Sequence, residues 1–175
     1  MSHTEPAWSF KLMALGYRFR DMRKPRAVFL DEAGIADGFT VLDFGCGPGS
    51  YVVPAAQKVG RTGRVYALDI CPTAIEMVTE RIEKEHLANV TTILSDCDTG
   101  LDEESVDVVL LYDIFHDLSD PAAVLSELRR VLKPEGILSS HDHHLKGELL
   151  KDAIESAGPF RLVHSGTLTQ SFAAK

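Results

Sequence analysis

The stretch that most constrains this chain is Val41-Leu42-Asp43-Phe44-Gly45-Cys46-Gly47-Pro48-Gly49-Ser50. An apolar run meets glycines at alternate positions, and a helical pattern follows. That order is strand, tight turn, helix. Glycine suits such a turn because it reaches positive φ without strain, and because a missing Cβ lets a ligand lie against the backbone. The helix that follows points its unpaired N–H groups and the positive end of its dipole at whatever sits over the turn.

The remaining sequence repeats the strand–helix alternation. Strands are expected over residues 40–44, 64–69, 90–94, 106–112 and from 137 to about 140, with helices over 50–59, 72–86, about 120–132 and 147–157. Residues 106–112 are nearly all apolar, as a central strand buried on both faces should be. Asp120 is placed to cap a helix that opens with Pro121. Lys133-Pro134-Glu135-Gly136 reads as a turn before the fifth strand. After residue 159 the alternation stops, and two short strand patterns flank Ser165-Gly166-Thr167, a hairpin signal. The expected fold class is α/β: a Rossmann-like, doubly wound, seven-stranded, mostly parallel sheet with an antiparallel last strand and helices on both faces. Residues 1–34 are expected to form helices packed over the ligand cleft, with Leu12, Leu15, Phe19 and Met22 as the apolar stripe of the first. Residues 35–175 would form the single ligand-binding unit.

Composition excludes several classes. At 175 residues, 45% apolar and 25% charged, the chain resembles an ordinary soluble domain. No signal core is visible, so a cytoplasmic protein is expected. Three cysteines and no CxxC pair argue against a disulfide scaffold or a structural zinc site. The net charge of −8 gives no support to a nucleic-acid surface. The charge is uneven: residues 11–26 hold six basic residues and one acid. That segment is read as the solvated face of the first helix; guiding an acidic substrate or touching an anionic membrane are the alternatives.

In an open parallel sheet, ligands bind beyond the carboxyl ends of the strands at the switch point. Those ends carry Asp43 to Gly49, Asp69, Asp96, Asp113 with His116, and His141 to His144. Asp69 lies 24 residues after Gly45, near the spacing of an acid that binds ribose hydroxyls. The glycines read GxGxG where the dinucleotide fingerprint is GxGxxG. Asp43, two residues before the first glycine, would repel a pyrophosphate and suit a cation.

These segments together resemble class I S-adenosylmethionine-dependent methyltransferases. Residues 41–49 resemble their first motif, Ala67-Leu68-Asp69-Ile70 the second, and Ser95-Asp96-Cys97-Asp98 the adenine-contacting segment. Residues 107–118 resemble the fourth-strand motif, and residues 129–136 the turn into strand five. The resemblance is nearest to small enzymes related to the ubiquinone/menaquinone C-methyltransferases, also called methyltransferase type 11. It implies S-adenosylmethionine as cofactor, S-adenosylhomocysteine as product and a small-molecule acceptor. Gly45, Cys46 and Gly47 would line the methionine and ribose, and Asp43 would meet the α-amino group. Asp69 would accept from the ribose hydroxyls, with Ile70 beside it. Asp96 would accept from the adenine amine, with the Cys97 N–H toward a ring nitrogen. Tyr112 and Asp113 would lie near the sulfonium.

The catalytic candidates are His116, Asp113, Tyr112 and His141. His116 is a candidate base, with Asp113 or Asp117 to orient it. His141-Asp142-His143-His144, with His116, invites a metal reading; it is read instead as a polar pocket lining, and no metal ligand is assigned. Three cysteines near a methyl donor raise arsenite as an acceptor, but buried small residues are the plainer account. The segment between strand five and its helix is short, which leaves a small or open pocket and is compatible with a homodimer. A non-catalytic S-adenosylmethionine binder and a nicotinamide-dependent oxidoreductase remain alternatives.

Overall fold

The computed structural model describes residues 26–175. The helix expected over residues 9–22, and its cover of the cleft, lie outside the described residues. The described elements run α1 (Ala27–Glu32), β1 (Thr40–Phe44), α2 (Val52–Val59), β2 (Arg64–Asp69), α3 (Pro72–Glu85), β3 (Val90–Leu94) and β4 (Val106–Tyr112). After a 3-10 turn (Phe115–Asp117) come α4 (Pro121–Val131), β5 (Leu132–His141), α5 (Glu148–Ala157), β6 (Phe160–Ser165) and β7 (Gln170–Ala174). The seven strands form one sheet in the order β3-β2-β1-β4-β5-β7-β6. β1 to β5 are mutually parallel, and β7 is antiparallel to both β5 and β6. The strand order reverses between β1 and β4, so their carboxyl ends frame the switch point.

Strand alternation splits the core between two faces. Val41, Val65, Val108, Leu110 and Tyr112 pack with Phe29 and Leu30 of α1 and with Ala55 and Val59 of α2. Leu42, Phe44, Val109 and Leu111 pack with Leu125 and Leu128 of α4 and with Leu150 and Ile154 of α5. Each such side chain, fully buried, contributes about 1.5–3 kcal/mol of transfer free energy. β4 is buried at all positions but one, as its composition demands. Asp120 caps α4 by accepting from the Ala123 N–H at 3.0 Å, with Pro121 in the first turn.

Two expectations need correction. Residues 133–136, read as a turn, lie within β5. Val106 pairs with Leu132 and Val108 with Ile137, so β5 carries extra residues over the same span of β4. This bulge accommodates Pro134, which cannot donate to a ladder. Lys133 Nζ reaches back to Asp107 Oδ1 at 2.7 Å, and the other Asp107 oxygen accepts from the Thr40 N–H at 2.8 Å. The second correction is the start of α2, at Val52 where residue 50 was expected, because Gly49 takes φ +78 and keeps the turn open.

The hairpin tip is tied to α1. Glu32 accepts from the N–H groups of Thr167, Leu168 and Thr169 and from the Thr169 hydroxyl. Burial would raise its pKa, but these donors outweigh it and hold the carboxyl below its usual range. Among the described residues, no helix is long and apolar enough to cross a membrane.

Candidate active site

The glycine turn is built as its composition requires. Gly45, Gly47 and Gly49 take φ +76, +52 and +78. A Cβ on Gly45 would stand 2.8 Å from Ile114 Cγ1, so that position needs glycine for space as well as conformation. A Cβ on Gly47 would meet nothing within 4 Å. Open space over a left-handed glycine is where a ligand can approach the chain. The turn is pinned from below: Gly45 and Cys46 donate to the Leu68 carbonyl at 2.8 and 2.9 Å, and the Arg81 guanidinium donates to the Gly49 carbonyl at 2.9 Å.

Asp69 is locked at the end of β2. Oδ2 accepts from the Gly47 N–H and Oδ1 from the Cys71 N–H, both at 2.8 Å. Each oxygen keeps a further lone pair for an external donor. Burial raises the Asp69 pKa, and the bonds from Cys71, Gly47 and Ile70 partly offset that. Asp43 is more extreme. It is 2% exposed, and its Oδ2 is buried without a hydrogen-bond partner. Burial and then the Asp69 charge push its carboxyl up to about 7. A buried carboxylate beside a second, half-buried one is expensive, and a positively charged ligand group removes that cost.

A cavity of about 80 Å³ opens beside Asp43, lined also by Gly45, Cys46, Ser50, Tyr51, Tyr112 and Asp113. It has room for the amino-acid end of a ligand and not for a nucleoside. A nucleoside would lie over Asp69 and the ends of β2 and β3, where Ile70 is 67% exposed and offers an apolar platform. Asp96 is exposed there. The Cys97 N–H donates to Ser95 Oγ at 3.3 Å, a long bond that a ring nitrogen can displace. Cys46 is buried and its thiol pKa is strongly raised by burial, so its contribution is backbone. Among the described residues the three cysteines form no converging group.

At the ends of β4 and β5 the geometry differs from expectation. His116 is oriented by Asp142: its Nδ1–H donates to Oδ2 at 2.8 Å. Asp117 Oδ2 lies 3.4 Å from His116 Nε2. Asp113, expected to orient His116, instead accepts from His143, through both Nδ1 and the backbone N–H at 3.0 Å. Asp113 takes φ +56, a left-handed conformation uncommon outside glycine, Asn and Asp. Asp142 has a fully buried side chain. Its other oxygen accepts from the His144 and Leu145 N–H groups at 2.8 and 3.1 Å. Burial would raise its pKa; the His116 bond and these N–H groups reverse the shift, so it is ionised.

His141 donates Nδ1–H to the Leu168 carbonyl at 2.8 Å, and its ring stands edge-on to Phe29. Its Nε2 is 3.7 Å from Asp113 Oδ1. Tyr112 lines the cavity with its ring; its hydroxyl pairs with Ser139 at 2.8 Å, and burial raises its pKa strongly. A second cavity of about 270 Å³ lies between His141-Asp142 and the β6–β7 loop, and shares no lining residue with the first.

Sequence reading missed three contributors. Tyr51 stacks edge-on against Tyr112 with centroids 4.8 Å apart. Arg26, the described member of the basic segment, is buried and donates to Tyr51 Oη at 3.2 Å. Asp142 was visible only as part of a histidine run. No periodicity marks any of the three.

The family model described as a methyltransferase domain matches residues 35–168. The chain belongs to that family. A SAM-dependent methyltransferase of Aquifex aeolicus is similar at 27% identity and TM-score 0.73, over 90% of this chain and 96% of that one. Aklanonic acid methyltransferase DauC of Streptomyces sp. strain C5 is 36% identical over 97 residues, 55% of this chain and 43% of DauC. Coclaurine N-methyltransferase, in a structure bound to N-methylheliamine and S-adenosylhomocysteine, is 28% identical with TM-score 0.59, over 66% of this chain and 33% of that one. The chain thus spans less than half the length of DauC and of the coclaurine enzyme. The family's cofactor is S-adenosylmethionine, and the site fits it: the partnerless Asp43 oxygen suits an ammonium, the open face of Gly47 suits a close backbone approach, and the fixed Asp69 suits a diol.

Proposed function

We propose that this protein transfers a methyl group from S-adenosylmethionine to a small-molecule acceptor bound at the ends of β4 and β5. The observation that carries this reading is Asp43, a buried carboxylate with an unpartnered oxygen behind a glycine turn. The cofactor supplies the methyl group and a positive sulfonium that makes it electrophilic. The protein supplies position and electrostatics. Asp43 and the turn hold the amino-acid end, Asp69 the ribose, and Ile70 and Asp96 the base. Tyr51 and Tyr112 wall the inner cavity with rings and keep water from that side. The acceptor meets His116, His141 and His143, whose rings are each held in a defined orientation by a carboxylate or carbonyl. Among the acceptors handled by the relatives, the small cavity and short β5–α5 segment favour a compact one.

Calorimetry tests the cofactor assignment. Micromolar binding of S-adenosylhomocysteine with no binding of NAD is expected; the reverse would overturn the reading. A small-molecule screen that reports S-adenosylhomocysteine production then tests catalysis. Tight cofactor binding with no turnover across the library would favour a binding protein.

A further inference from the structure

The loop ends of β4 and β5 bring together three imidazoles from two segments far apart in sequence. A ring nitrogen of each of His116, His143 and His144 lies within 4.8 Å of those of the other two. We propose that His116, His143 and His144 bind a divalent transition-metal ion of the zinc class beside the methyl-donor cleft. This rests on the methyltransferase reading only for its use, not for its existence.

Three observations support it. The first is convergence: ligand nitrogens about 2 Å from a tetrahedral ion stand roughly 3.3 Å apart, and His143 is 57% exposed in its side chain. Rotation of the exposed rings therefore closes the remaining gap without moving the backbone. The second is the outer support. Asp142 holds Nδ1–H on His116, and Asp113 holds Nδ1–H on His143. On both rings the lone pair left for a cation is on Nε2. A carboxylate on the far nitrogen of a ligating histidine fixes the tautomer and raises its basicity. Neutral imidazole is the ligand type that zinc, cobalt and copper prefer. The third is Asp117. Its Oδ2 stands 3.4 Å from His116 Nε2, outside the three-imidazole group, and puts a negative charge beside the nitrogen left for a cation. Its side chain is 69% exposed, so it can swing away and yield its place.

The arrangement selects different residues from those a strand pattern suggests. His141, the last residue of β5 and two positions before His143, turns to Leu168 and Phe29 and takes no part. Asp113 connects the two sites, since it lines the donor cavity and orients His143. An ion here offers its replaceable position to an acceptor with an anionic oxygen or sulfur donor. His116 Nε2 is then a ligand and not a base.

The test uses the tag-free protein titrated with cobalt(II), followed by its visible absorption, and with zinc as competitor. One equivalent should bind, and zinc should displace it. His143→Ala and His144→Ala, both at exposed positions, should each weaken cobalt affinity at least about tenfold, while His164→Ala should not. S-adenosylhomocysteine affinity is measured on the same samples, so loss of the cofactor reading and loss of the metal reading are separate results. Cobalt binding no tighter than millimolar, or equal affinity in the His143 and His144 variants and the parent, overturns the proposal.

Discussion

At the proposed donor end, the cleft is framed by a glycine turn and by two carboxylates at the ends of β1 and β2. At the proposed acceptor end, the groups are imidazoles at and beyond the ends of β4 and β5, and the rings of His116, His141 and His143 are each held by a partner from another segment. Asp69 is fixed by the main-chain N–H groups of Cys71 and of Gly47, 22 residues before it, so its place follows from the path of the backbone. His116 is fixed by Asp142, 26 residues away. The two halves therefore draw their rigidity from different sources. The donor half takes it from backbone geometry, in the glycine turn and at the end of β2. The acceptor half takes it from side-chain pairing across β4 and β5, which only the folded sheet creates.

The largest expected effect breaks the donor half alone. Asp69→Ala removes an acceptor for two ribose hydroxyls and the anchor of Gly47. Hydrogen bonds to a charged group contribute about 1.5–3 kcal/mol each, so S-adenosylhomocysteine affinity should fall by about 100-fold or more. Calorimetry reads this directly. The imidazole resonances of His116 and His143 should stay in place; if they shift with the variant, the two halves are not independent.

The next effect strikes the acceptor half. Asp142→Asn removes the carboxylate that keeps the proton on His116 Nδ1. Nitrogen-15 NMR should then show His116 moving toward the Nε2–H tautomer, while S-adenosylhomocysteine affinity is unchanged. Turnover with an acceptor found by the screen should drop about 10- to 100-fold, the usual cost of losing a residue that orients a working histidine. A variant that keeps both tautomer and turnover would remove Asp142 from the positioning role.

The same contrast explains what the sequence discloses. The sheet was readable because β4 is almost wholly apolar and because Gly, Pro and Asp punctuate the helices. The donor site was readable because strand, glycine turn and acidic strand ends occur in fixed order along the chain. The bulge at Lys133-Pro134-Glu135-Gly136 was not, because a turn and a bulge use the same residues and only pairing with β4 distinguishes them. Asp142 takes the orienting role on His116 that was expected of Asp113 or Asp117, and Asp113 meets His143 instead, for a similar reason. Both carboxylates sit near histidines in sequence, and the register of Tyr112 opposite His141 decides which ring each one meets. The Glu32 tie to the hairpin tip joins residues 135 or more apart, and no local pattern announces it.

The smallest expected effect concerns Asp43 and reads the donor half through pH. Its folded pKa is pushed up to about 7 by burial and then by Asp69, whereas an unfolded Asp titrates near 3.9. Between those values the native state holds a proton that the unfolded chain has released. The stability contributed by this group is therefore complete below about pH 4 and is lost as pH rises through about 7. Asp43→Asn removes that dependence. Without cofactor, the variant should gain on the parent as pH rises from about 5 to 8, by about 1–2 kcal/mol at the upper end. That falls short of the full linkage value because water entering the cavity solvates part of the charge. Urea midpoints across this range measure the difference. Saturating S-adenosylmethionine should narrow it in the parent, since an ammonium beside the carboxylate would replace the missing solvation, and should do little for the variant, which is expected to bind the cofactor poorly. Parallel stability curves for the two proteins, with and without cofactor, would mean that Asp43 is already compensated in the folded chain and that the donor half owes its cation preference to some other group.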